Sequence, residues 1–526
     1  MTALAQSVAT FFGPAGRRAV ALAAALLITS VAFVIGLVIA QSPLVAVFAV
    51  LGVVALIVSL ARPGLATYVV IAILYSNAAA VAVSAHGLPA FVAIAFPLLL
   101  ALPLGDYLIL RRKPVVMTSA LPLLFGYLLV QVLAAIGSRD VGDTTDSLIG
   151  FLVGGFGLYF VIINVIRSFG ALRSVVWTVL VVAAALGVIT SFQAVTGTYG
   201  QDYGGFATVD LPGRDVRGET FRASLEGTPR AEGPIGETNR YGQVMLVLLP
   251  IGVGLALGEK RTLFRALAFG LTFLILCGMA TTFSRGAAVG LGVVLVAAAF
   301  FGYLRRWHFG LLAAILAVVL VAFPQYGARL VDLQGLLNLD QGRSATQTNP
   351  VDVGDTGNLR GRATSTLAAL YVWSDHPVFG VGRGQFQQYY EEYAGLVAET
   401  GVSARVSLGE TRQAHNLYTS VAAETGTLGL ACFIAIFFVT MRNLMRARRW
   451  WLASRPGVAH LVTGLFLGLV GYLVSGIALH LSYERYLWFL LAIAGIAAHI
   501  ALKGDPGRDF ELREPGATVA HSGAPA

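Results

Sequence analysis

Runs of about twenty apolar residues, the length that crosses the hydrocarbon core of a bilayer, recur along almost the whole chain, and no other feature restricts its fold so strongly. They fall at 19–40, 43–61, 64–84, 90–110, 115–136, 147–166, 174–196, 241–258, 264–283, 287–304, 309–323, 416–441, 457–479 and 486–502. A segment in lipid must satisfy its own backbone hydrogen bonds, so the chain is predicted to be an all-α polytopic membrane protein with about 12–14 transmembrane helices. Composition agrees, because 57% hydrophobic and 12% charged residues are too apolar for a water-soluble domain of this length. The first run follows Arg17-Arg18, lacks an obvious cleavage site and is too long for a signal-peptide core. It is expected to be retained as a span.

A net charge of +9 could point to nucleic acid, but no Lys/Arg run carries interleaved aromatics. Orientation accounts for it instead. With the N-terminus inside, the connections at Arg62, Arg111 to Lys113, Arg167 to Arg173, Lys260 to Arg265, Arg305-Arg306, Arg442 to Arg455 and the tail after Lys503 all fall on one side. That side holds 21 Lys+Arg and 6 Asp+Glu, the other 15 and 21, and the differences of +15 and −6 sum to +9. The positive-inside rule then makes the basic side cytoplasmic, with both termini there. Cys277 and Cys432 lie within apolar runs, so neither a disulfide framework nor a metal cluster is expected.

The spans divide the chain into an N-terminal bundle (1–196), a first extracytoplasmic loop (197–239), central helices (240–323), a large extracytoplasmic subdomain (324–415), C-terminal helices (416–502) and a disordered cytoplasmic tail (503–526). Within the subdomain, 361–373 has apolar residues at helical spacing and few breakers, which predicts a short helix on the membrane surface. Gly380-Val381-Gly382-Arg383-Gly384 is expected to be a flexible turn, Phe386 to Tyr393 a second interfacial helix, and 341–358 a mobile polar stretch.

On this topology the outer cations are all arginine, whose planar fork suits phosphate. Arg285 sits in a hairpin so short that its guanidinium must lie near the outer boundary; it either snorkels to headgroups or clamps a phosphate. His415 ends the long polar segment and opens an apolar one. It is either a polar anchor or a general base for a sugar hydroxyl. Glu484-Arg485 reads most simply as an ion pair between helix ends, and Asp140, Asp143 and Asp146 as a solvated loop. No metal-ligand spacing and no nucleotide fingerprint appears, so no cofactor is expected.

Four ordered blocks carry a family resemblance. They are Arg230 to Arg240; Phe283-Ser284-Arg285-Gly286; Gly361-Arg362 with Trp373 and His376 to Phe386; and His415-Asn416-Leu417-Tyr418 with Glu424 to Gly429. The chain resembles the O-antigen ligase/polymerase superfamily, bacterial inner-membrane glycosyltransferases that act on undecaprenyl-diphosphate-linked glycans. The resemblance implies that Arg285 and Arg362 hold the donor diphosphate and that His415 activates the acceptor hydroxyl, with no metal and no nucleotide sugar. Arg240, Arg405 and Arg412 are supporting candidates on the same face. The chain departs from many members in carrying Glu237-Thr238-Asn239 where Asn-Pro-Asn is common, and in having about two extra spans.

Three readings of function follow. A ligase would transfer a glycan from polyprenyl diphosphate to a glycan or lipid acceptor; a polymerase would extend a lipid-linked repeat. A transporter or flippase would instead gather its ionisable groups near the bilayer midplane on related halves, whereas here they gather at the outer boundary.

Overall fold

A computed structural model describes residues 63–88, 99–110, 112–209, 229–305, 307–308, 310, 353–399, 413–479 and 485–503. The expected spans at 19–40 and 43–61, nearly all of 309–323, residues 90–98 of the span at 90–110, and the whole of 341–352 lie outside these residues. The regular structure of the described part is helical, apart from one isolated parallel bridge between Thr208 and Gly233.

In chain order the helices are α1 (Pro63–Tyr75), α2 (Ala78–Ser84), α3 (Ala101–Gly105), α4 (Leu121–Ala135), α5 (Val141–Phe151), α6 (Leu158–Val165), α7 (Phe169–Thr196), α8 (Thr238–Gly258), α9 (Thr262–Ala280) and α10 (Arg285–Phe300). They continue with α11 (Val353–Asp375), α12 (Phe386–Glu399), α13 (Leu417–Ser454), α14 (Pro456–Ser475) and α15 (Arg485–Lys503). Seven stretches among the described residues are long and apolar enough to cross a membrane, or eight if α1 and α2 form one bent span. The chain is thus a multi-pass, all-α membrane protein.

Polar side chains start the helices where the chain must turn. Ser168, Ser284 and Asn416 each accept a hydrogen bond from a first-turn N–H, satisfying donors that a helix start leaves open. Asp140 does the same for Asp143 at the start of α5. The aspartates at 140–146 therefore begin a helix and do not form a loop, because a carboxylate at the cap both accepts the bond and complements the helix dipole.

Helices α8 and α15 run through the centre, with 83% of each apolar window buried, whereas α9, at 28%, lines the periphery. Helix α8 lies antiparallel along α14, with small residues at the contact. A Cβ on Gly254 would lie 2.5 Å from the His460 carbonyl oxygen, and one on Gly464 2.4 Å from that of Pro250. Such close backbone approach is how helices associate where lipid removes the hydrophobic drive between them. Gln243 fixes the register by donating to Ser475 Oγ at 2.7 Å and to the Tyr472 carbonyl at 3.2 Å.

The expected span at 64–84 is bent by 54° between α1 and α2. Asn77 adopts a left-handed φ of 57° at the bend. Its amide donates to the Pro234 carbonyl at 2.5 Å and accepts from Arg485, so partners from two distant segments hold the break. The run at 115–136 begins its helix only at Leu121, because Asn164 Oδ1 captures the Val116 N–H at 2.7 Å and keeps the preceding backbone extended.

Candidate functional site

The short links 259–261 and 281–284 make α8, α9 and α10 alternate in direction, and residue 455 turns α13 back into α14. Contacts of Gly242 with Ser284, of Leu417 with Gly476 and of Gly286 with Ala478, and the path from Arg485 through Asn77 to Pro234, bring the N-termini of α8, α10, α13 and α15 to one end of the bundle. Each carries partial positive charge from the aligned peptide dipoles of its helix. The candidate residues belong to this end.

Arg285 is the first residue of α10, preceded by Phe283 at a left-handed φ of 47° and by the capping Ser284. The hairpin is packed, not merely short: the Ala231 N–H donates to the Thr281 carbonyl at 3.1 Å and Arg230 Nε to that of Thr282 at 2.9 Å. Arg230 Nη2 also donates to Asn239 Oδ1 at 3.0 Å. The first sequence block and the second are therefore one local structure, in which Asn239 positions Arg230. Arg240 forms an ion pair with Glu237, three residues before it, so its charge is already engaged within the first turn of α8.

His415 lies immediately outside α13 at a left-handed φ of 48°, half-buried between Ala414 and the capping Asn416. Asn416 Oδ1 accepts from the N–H groups of Tyr418 at 2.9 Å and Thr419 at 3.1 Å. Two residues on, Tyr418 Oη donates to the Leu473 carbonyl at 2.9 Å, which ties the start of α13 to the end of α14.

A chain of contacts links the three candidates. A Cβ on Gly476 would meet Leu417 at 2.9 Å, and one on Gly286 would meet Ala478 at 3.8 Å. The starts of α13 and α10 thus flank the same one-turn 3₁₀ segment, Gly476–Ala478. From the other side, Thr366 Oγ1 donates to the Ala414 carbonyl at 3.3 Å. Arg362, half-buried, stands four residues before Thr366 on α11 and hence on the same helix face. Arg405 and Arg412 lie outside the described residues, as does Glu484.

The turn at 380–384 is pinned along its length, unlike the flexible turn expected of five residues including three glycines. Its backbone pairs with a break in α13: the Val381 and Gly382 N–H groups donate to the carbonyls of Ala423 and Glu424, each at 3.0 Å, and the Thr427 N–H to that of Pro377 at 2.7 Å. Gly426 interrupts α13 with a left-handed φ of 64°. A Cβ there would lie 2.2 Å from the Val378 carbonyl oxygen. The preceding helix, expected at 361–373, runs from Val353 to Asp375 and takes in part of the stretch expected to be mobile.

Arg383 projects from this turn into the protein, 2% exposed. Its Nη1 donates to Gln131 Oε1 on α4 at 2.7 Å, and its guanidinium lies 4.7 Å from the Phe151 ring centroid. Burial lowers its pKa to about 10, opposed by the neighbouring Tyr127 and Glu424, so it stays a cation at neutral pH. The Glu424 carboxylate, 4% exposed, faces the backbone N–H groups of Gly384 and Phe386. Gln385 continues the clamp by exchanging 3.0 Å hydrogen bonds with the backbone of Asp140. None of these partnerships was read from the sequence. A charged residue flanked by glycines in a polar segment was the one available signal.

Residues 270–434 match the model of the family described as O-antigen ligase. This match supports the resemblance to the O-antigen ligase/polymerase superfamily and covers the second, third and fourth sequence blocks. No curated protein matches the chain.

Proposed function

We propose that this chain, a membrane enzyme of the O-antigen ligase type acting on lipid-linked glycans, transfers a saccharide from polyprenyl diphosphate to an acceptor hydroxyl on the extracytoplasmic face. His415 removes the hydroxyl proton as the acceptor oxygen forms its bond to the anomeric carbon. The bond from that carbon to the diphosphate oxygen breaks, and its electron pair leaves with the lipid diphosphate. Arg285 and Arg362 hold the leaving group and stabilise the charge it gains, helped by the helix N-termini at the same end.

The observation that supports this reading best is the linkage of the three residues through the Thr366 to Ala414 hydrogen bond and the Gly476–Ala478 segment, since base and phosphate ligands must converge on one substrate. The test uses the purified protein in nanodiscs with a polyprenyl-diphosphate-linked glycan and an acceptor lipid. His415→Asn is the informative variant, because Asn tolerates the left-handed φ that His415 holds and isolates the chemistry from backbone strain. Loss of the base is expected to lower transfer by about 10²–10⁴. Arg285→Ala and Arg362→Ala are expected to abolish turnover at normal membrane levels. Wild-type rates in all three would refute the mechanism. A ladder of products still on lipid diphosphate would identify a polymerase, and a single transfer to a different lipid a ligase.

A further inference from the structure

At the end of the bundle opposite His415, a cavity of about 220 Å³ opens between α4, α13 and α15. Three basic side chains from two helices converge on it: Arg446 from α13, and His499 with Lys503 from α15. Thr440, Asn443 and Ser119 add hydrogen-bonding groups, and no carboxylate lines it. Gly495 lines the cavity and lets the Tyr159 hydroxyl pack closely behind it, since a Cβ there would lie 2.7 Å from that hydroxyl, itself 2.7 Å from Thr118 Oγ1. The chain has three lysines in all, and one of them stands at this rim.

A basic, hydroxyl-bearing cleft between helix ends has the chemistry of a phosphate receptor, and cationic pockets at the membrane boundary are suited to anionic headgroups. The glycan chemistry gives these residues no task, since they occupy the far end of α13 and α15. We propose that this cleft is a binding site for a phosphate-bearing anion, taken from either the headgroup of an anionic phospholipid or a soluble phosphate. Arg446 and Lys503 supply charge at the mouth, and the Asn443 amide and the Ser119 hydroxyl donate to the phosphate oxygens, the Thr440 hydroxyl being committed to the Ile436 carbonyl at 2.7 Å.

The experiment holds the protein in phosphatidylcholine nanodiscs and titrates two probes separately, a short-chain fluorescent phosphatidylglycerol by anisotropy and inorganic phosphate by the shift in Tm. The paired variant Arg446→Gln with Lys503→Gln removes two exposed charges and should leave folding intact. It is expected to weaken binding by about 30-fold. A control pair on the same helix outside the cavity, Arg442→Gln with Arg449→Gln, should keep wild-type affinity. Phosphatidylglycerol binding that depends on Arg446 and Lys503 assigns the site to a lipid headgroup; phosphate binding with the same dependence assigns it to the soluble anion. Binding by neither probe, or equal losses in both variant pairs, would overturn the proposal.

Discussion

Arg383 and Gln131 stand 252 residues apart, yet Arg383 Nη1 donates to Gln131 Oε1 at 2.7 Å inside the protein. This bond joins the segment between α11 and α12 to the N-terminal bundle, and Glu424 adds the kinked start of α13 to the same cluster.

Removing one partner of such a cluster leaves buried charge without compensation. Arg383→Met is therefore expected to destabilise the protein by about 3 kcal/mol or more, the scale for breaking a buried ionic network. Arg383→Lys should recover little, because an ammonium cannot reproduce the planar contact over Phe151 together with the bond to Gln131. Thermal unfolding in nanodiscs reads this out, and an Arg383→Met protein that melts with wild type would contradict the network's role.

Gly426 makes a different demand. Its φ of 64° is one that residues with a side chain rarely adopt, and the added Cβ would overlap the Val378 carbonyl oxygen. Gly426→Ala should therefore open the backbone pairing between 377–382 and 423–427, cost about 2 kcal/mol or more from strain and clash, and expose the turn to protease. Limited proteolysis that finds the variant as resistant as wild type would show that the pairing tolerates a side chain.

How much of this was legible in the sequence depended on the range of the interaction. The places of most described spans, the 281–284 hairpin and the existence of helices around 361–373 and 386–393 follow from local hydrophobic periodicity and were anticipated, whereas the break in 64–84, the late start of α4 and the length of α13 were not. The pairing of 377–382 with the break in α13 was not, because a glycine that permits a left-handed turn and one that permits a close approach look the same as a glycine in a loose loop. Asp140 illustrates the same limit: a cap and a solvated carboxylate differ only in whether an N–H is placed to donate. The bend at Asn77 depends on Pro234 and Arg485, whose proximity no local pattern encodes. The family resemblance selected His415, Arg285 and Arg362, and the contact chain among them added Thr366, which no motif marks.

Thr366 allows the contact chain to be tested apart from the chemistry. Thr366→Val keeps the shape of the side chain but removes the bond to the Ala414 carbonyl, a loss worth about 1 kcal/mol. If that bond positions the turn carrying His415, transfer should fall by about fivefold with little change in Tm. Thr366→Ser, which restores the hydroxyl, should recover activity. Unchanged transfer in Thr366→Val would mean that the turn is held by the Asn416 cap and the Tyr418 to Leu473 bond alone.

The remaining question is which face of the membrane the candidate site occupies, and the charge distribution makes a definite prediction. The +15 side includes Arg442 to Arg455, and the −6 side includes α11 and α12, so the site should face away from the cytoplasm. Cys277 and Cys432 are the natural thiols, both within helices and partly buried, so replacing them gives a clean background for labelling. In that background Ser374→Cys and Arg449→Cys each place a thiol at an exposed position, the first at the end of α11 and the second near the far end of α13. A membrane-impermeant maleimide should label Ser374→Cys in intact cells and Arg449→Cys only after permeabilisation. The reverse pattern would invert the topology and put the arginines and His415 on the cytoplasmic side, where an extracytoplasmic acceptor could not reach them.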